Sequence, residues 1–211
     1  MNTPANTTGL VAIMEYSAVE DAEFNRWYNT EHLPERQRIP GFLTCERWIS
    51  IAPDKLSIGS YDLESPDVLQ SEPYLAVAFE NATPWTKKVT GMCTRILRVI
   101  SEQRTPGNVL APSGAGGLLF SALNIAPELE PEFEEWCDTE HLPALAGVSG
   151  VLAARRFVGE GASHRHVFLY HLTSPEVVQG GAWKTAARTP WSERIVPQYR
   201  DRVRIVCRRP D

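Results

Sequence analysis

The sequence predicts an α+β protein made of two copies of one βαββαβ unit. A segment that begins at Glu23 and another that begins at Glu132 lie 109 residues apart and are identical at 9 of 19 positions. At the same spacing, the segments that begin at Tyr61 and Tyr170 are identical at 6 of 10 positions. Similarity at one fixed spacing indicates a duplicated structural unit.

A segment rich in proline, glycine and serine separates the two copies, as is typical of a linker. It covers residues 106–116. We therefore predict a first unit at residues 1–105 and a second unit at residues 117–211.

Each unit is predicted to begin with a strand and a helix. The apolar runs Leu10–Met14 and Leu118–Leu123 have the length of a strand and are short for a helix. Four residues then recur at i, i+3, i+4 and i+7, as on one face of a helix: Phe24, Trp27, Tyr28 and Glu31. Pro34 and Pro143 should end these helices, because the residue before a proline is pushed out of the helical region.

Two strands, a second helix and a last strand complete each unit. An extended segment follows a glycine, and the next strands are predicted at residues 56–63 and 166–172. A Ser-Pro-acid sequence at Ser65 and Ser174 then supplies a helix start. The order β-α-β-β-α-β is the ferredoxin-like arrangement, an antiparallel sheet with both helices on one face. The bare face must be buried, and the second copy in the chain can cover it.

The composition is that of a globular protein without export signals. Apolar residues make up 43% of the chain, charged residues 22%, and the formal net charge of −5 disfavours nucleic acid. No apolar run approaches the roughly 18 residues of a membrane span, and the start lacks the basic residues of a signal peptide. The four cysteines are far apart, so we interpret them as reduced thiols. We expect a cytoplasmic protein that binds neither nucleic acid nor a membrane.

The segments that follow Trp27 and Trp136 resemble the dimeric α+β barrel superfamily, particularly its EthD-like branch. Six pairs of residues carry the resemblance: Trp27/Trp136, Glu31/Glu140, His32/His141, Pro34/Pro143, Gly41/Gly150 and Arg47/Arg156. The resemblance implies two ferredoxin-like halves whose sheets face each other to form one barrel within the chain. Members include polyketide cyclases, lactone isomerases, dehydratases, cofactor-free monooxygenases and haem-degrading enzymes, so the fold does not determine the function.

His32 and His141 are the leading catalytic candidates. They occupy equivalent positions, and a neutral imidazole is a good general base near pH 7. The alternative is structural, because a histidine in the last helical turn can satisfy carbonyl groups and the helix dipole. Tyr28 is replaced by Cys137 in the second copy, so the halves are chemically unequal.

Tyrosine, arginine and tryptophan complete the candidate site. Tyr61 and Tyr170 could donate to a developing oxyanion, or could be core residues with satisfied hydroxyl groups. Arg47 and Arg156 could anchor a substrate anion; the alternative is a structural ion pair with the glutamate of the preceding helix. The predicted substrate-binding residues are Arg47, Arg156, Trp27 and Trp136.

Two further groups of residues receive a structural interpretation. His164, His166 and His171 cluster in the second half, but His166 and His171 lie on opposite strand faces, so we predict no metal site. The replacement of Asp62 by His171 nevertheless draws attention to the second half. Arg200, Arg202 and Arg204 share one strand face, which we interpret as a solvated face opposite the acidic stretch Glu128–Glu140.

Three functional hypotheses follow. The first is a cofactor-independent lyase, isomerase or cyclase that acts on a small aromatic, polyketide-like or lactone substrate through a histidine base. The second is a non-catalytic protein that binds a hydrophobic ligand. The third is a haem- or oxygen-dependent monooxygenase. We expect a small-molecule ligand and no resident cofactor, and exposed helices leave a homodimer open.

Overall fold

The computed structural model describes residues 6–210. The outer limits of the two predicted units, residues 1–5 and 211, lie outside the described residues. In the described part, each half has the order strand, helix, two strands, helical segments and strand.

From residue 6 onward, the first half contains four strands and four α-helices. The strands are β1 (Thr8–Glu15), β2 (Phe42–Ser50), β3 (Leu56–Leu63) and β4 (Thr94–Thr105). The helices are α1 (Asp21–Trp27), α2 (Leu33–Gln37), α3 (Glu72–Leu75) and α4 (Pro84–Met92).

The second half repeats this order. Its strands are β5 (Gly117–Asn124), β6 (Val151–Val158), β7 (His166–Leu172) and β8 (Arg200–Arg208). Its helices are α5 (Glu130–Trp136), α6 (Leu142–Ala146), α7 (Gly181–Ala186) and α8 (Pro190–Ile195).

The eight strands form one closed barrel. Their order around it is β1-β3-β2-β8-β5-β7-β6-β4, and every neighbouring pair is antiparallel. Two junctions join the halves, β2 with β8 and β4 with β6. The predicted fold class is therefore confirmed: two ferredoxin-like units close into a single barrel.

Side chains fill the barrel, as is usual for eight strands. Alternation along β5 shows the principle: Leu118 and Phe120 point inward and belong to the core shared by both halves, whereas Leu119 packs outward under the helices. Trp48 and Phe157 come from opposite halves and are almost completely buried in the shared core. Separate helix–sheet cores lie on the outer face of each half.

An ion pair and a histidine–carboxylate hydrogen bond, both buried, cross between the halves inside the barrel. Arg155 Nη1 lies 2.8 Å from Asp62 Oδ1, and His171 Nε2 lies 2.7 Å from Glu46 Oε2. The Arg155–Asp62 pair also holds the segment between the units, because Arg155 donates to the Val109 carbonyl and Asp62 accepts from the Ala111 N–H. The predicted linker is therefore fixed to the barrel by buried charges.

The prediction that Pro34 and Pro143 end the first helices is wrong. A five-residue π-helical turn follows α1 at Tyr28–His32, and α2 continues after it; Cys137–His141 forms the same turn after α5. In each turn the N–H that follows the histidine bonds to the carbonyl five residues back. This shift in hydrogen bonding lets the proline, which has no N–H, lie at the second position of a new helical segment.

The second predicted helix of each unit is divided into short pieces. In the first half, a 3₁₀ turn at Pro66–Gln70 precedes α3 and α4. Ser65 caps the 3₁₀ turn, and Ser71 starts a new cap before Pro73, so each proline begins a piece. No helix in residues 6–210 is long and apolar enough to cross a membrane.

Candidate functional site

A cavity of about 220 Å³ lies on the outer face of the second half, between the sheet and its helices. Strands β5, β7 and β8 form its floor, and α6, α7 and the turn after α8 form its walls. The residues that line it are Leu119, Ser121, Leu123, His141, Leu145, Phe168, Tyr170, Trp183, Ala187, Val196, Tyr199, Arg202 and Arg204. Two of the predicted catalytic residues, His141 and Tyr170, are among them.

His141 and Tyr170 form a hydrogen-bonded pair at this cavity. The His141 Nε2 atom lies 3.0 Å from the Tyr170 hydroxyl. The imidazole stacks on Trp136, with 4.2 Å between ring centroids and 27° between planes. His141 is the last residue of the π-helical turn, which directs its side chain toward β7. The ring is thus held in one orientation beside a phenol.

Burial keeps both members of the pair neutral. Desolvation, together with the positive charge of Arg202, lowers the pKa of His141 to about 4. Burial also raises the pKa of Tyr170 well above its ordinary value. At pH 7 the cavity therefore holds a neutral imidazole and an intact phenol. The imidazole can accept a proton, although its lowered pKa makes it a weaker base than an ordinary histidine, and the phenol can donate a hydrogen bond.

Aromatic side chains and two arginines form the rest of the wall. Trp183 packs edge-on against Tyr170, with 5.3 Å between ring centroids, and Phe168 lies parallel to Tyr170 at 6.2 Å. Arg202 lies over the ring of Tyr199 at 5.3 Å. None of the lining residues carries a carboxylate.

The equivalent region of the first half is packed differently. Tyr28 takes the place of Cys137, and its hydroxyl lies 3.2 Å from that of Tyr61. Arg36, which takes the place of Leu145, is buried with its guanidinium 5.2 Å from the ring of Tyr74. Gly59 takes the place of Phe168, so Tyr28 occupies the space over the sheet that Phe168 takes in the second half.

His32 keeps the position of His141 without its surroundings. Its Nε2 atom lies 3.4 Å from the Tyr61 hydroxyl, and its Nδ1 atom is buried with no hydrogen-bond partner among residues 6–210. Burial lowers the pKa of His32 to about 3, and the charges of Arg36 and Arg47 act in the same direction. We therefore interpret His32 and Tyr61 as packing residues.

The predicted ion pair between Arg47 and Glu31 does not form. Arg47 donates to Asn29 Oδ1 at 2.9 Å and to Asn25 Oδ1 at 2.6 Å. Glu31 instead accepts from two threonines at the start of α4. Asn25 and Asn29 are four residues apart and face the sheet, whereas Glu31 faces the neighbouring helix.

The corresponding prediction for Arg156 and Glu140 is also wrong. Arg156 pairs with Glu134 at 3.5 Å and with Asp138 at 3.4 Å. Glu140 accepts from Trp136 Nε1 at 3.1 Å and from the hydroxyl of Thr189, the N-cap of α8. The glutamate therefore ties two helices together and does not reach the sheet.

The four predicted substrate-binding residues lie outside the cavity wall. Arg47 and Arg156 are buried beneath the first helix of each half, and Trp27 and Trp136 are completely buried. Trp27 Nε1 donates to the hydroxyl of Thr86 at 2.9 Å. Among them, Trp136 bears on the cavity indirectly, because it supports the ring of His141.

The histidines of the second half do not meet. His164 contacts the Asp201 carbonyl, His166 contacts Glu130, and His171 faces Glu46 inside the barrel. Within the described chain, no group of three or more His, Cys, Asp or Glu side chains could hold a metal ion.

Sequence reasoning missed the residues that shape the cavity. The arginines of β8 do not face the acidic stretch of α5, because those acids pair with others: Glu130 with Arg165 and Glu132 with Arg194. Arg202 and Arg204 are exposed, as predicted for a solvated face, and they also line the cavity. The available signal was the alignment of the copies, in which Arg202 replaces Ile96.

Comparison with known proteins bears on the fold. No family model matches the chain, and no curated protein matches it in sequence. Solved structures do match over nearly the whole chain. The chain has the tandem dimeric α+β barrel fold. A candidate monooxygenase from Fusobacterium nucleatum has 10% identity and a TM-score of 0.66, with 99% of this chain and 94% of that chain covered.

Two other barrels of this fold have different functions. A mutant chlorite dismutase from Candidatus Nitrospira defluvii has 9% identity and a TM-score of 0.64, with 99% of this chain and 93% of that chain covered. A haem-binding protein from Thermus thermophilus has 11% identity and a TM-score of 0.59, with 98% and 92% covered. At such identities the similarity shows the tandem barrel fold alone.

Proposed function

We propose that this tandem barrel is a cofactor-independent enzyme that moves a proton on a small carbonyl compound, as a lyase, isomerase or cyclase does. The observation that carries the proposal is the cavity in which a neutral His141 is hydrogen-bonded to Tyr170. The Glu-His-x-Pro motif further supports a place in the EthD-like branch.

His141 and Tyr170 can act together on one substrate. In the free protein, Tyr170 and His141 satisfy each other. A substrate carbonyl oxygen that accepts the Tyr170 hydrogen bond frees the lone pair of His141 Nε2. Nε2 then takes a proton from the adjacent carbon, and the C–H electron pair forms the enolate double bond. Return of the proton to another carbon gives an isomer, and its delivery to a departing hydroxyl gives loss of water.

The cavity does not fit haem, which the Thermus thermophilus protein binds. Its volume of about 220 Å³ lies below the range of roughly 300–1,000 Å³ for sites of drug-sized ligands. Trp183, Phe168 and Tyr199 take up the space beside His141 that a macrocycle needs. The haem-dependent form of the third hypothesis therefore has less support than proton transfer by the protein's own side chains.

Deuterium exchange tests the proposal. The purified protein is incubated in D₂O with single-ring ketones and keto acids, and loss of the α-proton signal is followed by NMR. We expect exchange with at least one compound, a loss of about 100-fold or more in His141→Gln, and a loss of roughly 100-fold in Tyr170→Phe. His32→Gln and Tyr61→Phe, the matched substitutions in the first half, should keep the rate.

Two results would contradict the proposal. Full deuterium exchange by the His141→Gln variant would show that His141 is not the base. Binding of a compound in calorimetry, with no exchange of any compound tested, would favour the non-catalytic ligand-binding protein.

A further inference from the structure

We infer that the ligand of this cavity is a single-ring compound with a carboxylate, and that Arg202 and Arg204 bind that carboxylate. The inference rests on the proposed function, since it concerns the same cavity, and it names the substrate class.

The side chains that line the cavity carry positive charge without a compensating acid. Arg202 and Arg204 line the cavity, and none of the residues that line it carries a compensating carboxylate. Three of the four acids of α5 are paired with other bases: Glu130 with Arg165, Glu132 with Arg194, and Glu134 with Arg156. A cavity with two positive side chains and no acid favours an anionic ligand.

Both guanidinium groups can reach a ligand. Arg202 and Arg204 are exposed, and within residues 6–210 neither makes a hydrogen bond or an ion pair; Arg202 contacts the face of the Tyr199 ring. Arg98 holds the position of Arg204 in the first half, and it donates to the Tyr74 hydroxyl at 3.4 Å. The matched arginine of the first half is thus already bound to a neighbouring side chain.

The two arginines project from the same face of β8. Arg202 and Arg204 are two residues apart on β8, so both side chains leave the sheet on the same face, about 7 Å apart along the strand. Arg204 is in register with Ser121 of β5, which also lines the cavity. A guanidinium group binds a carboxylate through two parallel hydrogen bonds, which a neutral group cannot replace.

The size and walls of the cavity define the rest of the ligand. A cavity of roughly 150 Å³ accommodates benzene. The 220 Å³ available here leaves room for one ring with a short acidic substituent. Phe168, Trp183 and Tyr199 offer the aromatic surfaces against which such a ring packs.

Calorimetry with benzoate, benzamide and sodium sulfate tests the inference. We expect benzoate to bind at least about tenfold more tightly than benzamide, which has the same shape without the charge. The doubly substituted Arg202→Gln, Arg204→Gln protein should lose this preference, whereas Arg98→Gln should keep it. Circular dichroism and the melting temperature check that each variant is folded.

Several outcomes would overturn the inference. These are equal binding of benzoate and benzamide, binding of neither at millimolar concentration, and a preference for benzoate that survives the double substitution. Displacement of benzoate by an equal concentration of sulfate would overturn the inference that the ligand contains a ring. The His141→Gln variant separates the two proposals, because it should still bind benzoate whether or not it retains proton exchange.

Discussion

At the scale of single residues, identical side chains have different roles in the two halves. His32 and His141 are preceded by the same Thr-Glu and followed by the same Leu-Pro. His141 borders a cavity, whereas His32 is packed against Trp27 at 4.8 Å and Tyr28 at 5.0 Å between ring centroids. The residue type set the possible chemistry, and the neighbours decided whether a ligand can reach it.

The buried histidines predict a pH dependence of stability. Burial lowers the pKa of His32 to about 3 and those of His141 and His166 to about 4, and it also lowers the pKa of His171. Below the ordinary value of roughly 6.5 the unfolded chain binds more protons than the folded chain. The free energy of unfolding should therefore have its full value above pH 6.5 and should decrease as the pH drops from 6.5 toward 4.

Urea unfolding at pH 7.5, 6.5 and 5.5 measures this dependence. Each histidine that is neutral only in the folded state contributes a limiting slope of about 1.4 kcal/mol per pH unit. His32→Gln removes one of these histidines from a region outside the cavity. The free energy of unfolding of this variant should therefore change less steeply with pH than that of the unsubstituted protein. An unchanged slope would show that His32 is protonated equally in both states.

At the scale of elements, the first helix and the strand beneath it carry side chains of different sizes in the two halves. In the first half, Tyr28 rests on the bare backbone of Gly59; in the second half, Cys137 faces Phe168 at the same two positions. A Cβ at Gly59 would lie 2.5 Å from the Tyr28 hydroxyl and 2.7 Å from the Tyr61 hydroxyl. Each half therefore packs a small residue against a large one, in opposite order.

Gly59→Ala tests this packing. The added methyl group must displace two buried phenols, so we expect a loss of about 1–3 kcal/mol in the free energy of unfolding. Tyr28→Phe removes the closest contact, and the double variant should be more stable than the sum of the single changes predicts. Gly181→Ala is the control, because a Cβ there meets no atom within 4 Å. Additive effects in chemical denaturation would contradict the packing.

At the scale of the whole molecule, buried charge makes the halves complementary. In these buried contacts the acids Glu46 and Asp62 come from the first half. Their partners Arg155 and His171 come from the second half, as does the partly exposed Arg209, which also pairs with Glu46. Arg155 stands at the repeat position of Glu46, and His171 at that of Asp62. A barrel of two first halves would bring two acids together, so the charges favour the pairing within one chain.

Arg155→Met tests this coupling. It leaves Asp62 buried, with accepted hydrogen bonds from Thr44 and Ala111 but no cation. Loss of one partner of a buried pair costs about 3–5 kcal/mol. The exposed pair of Arg188 with Glu193 supplies the control, and Arg188→Met should cost less than about 1 kcal/mol. Similar urea midpoints for the two variants would contradict a structural role of the buried pair.

The sequence by itself determined the duplication and the order of strands and helices in each unit, because these follow from repeat spacing and from apolar patterns that are local in the chain. The closed barrel was implied by the resemblance to the dimeric α+β barrel superfamily. The sequence also marked His141 and Tyr170 as candidate site residues, since both recur in the repeat. It could not distinguish them from His32 and Tyr61, nor find Arg202, Arg204 and the cavity. Those depend on which side chains from distant segments fill a shared volume, and only the tertiary structure brings these segments together.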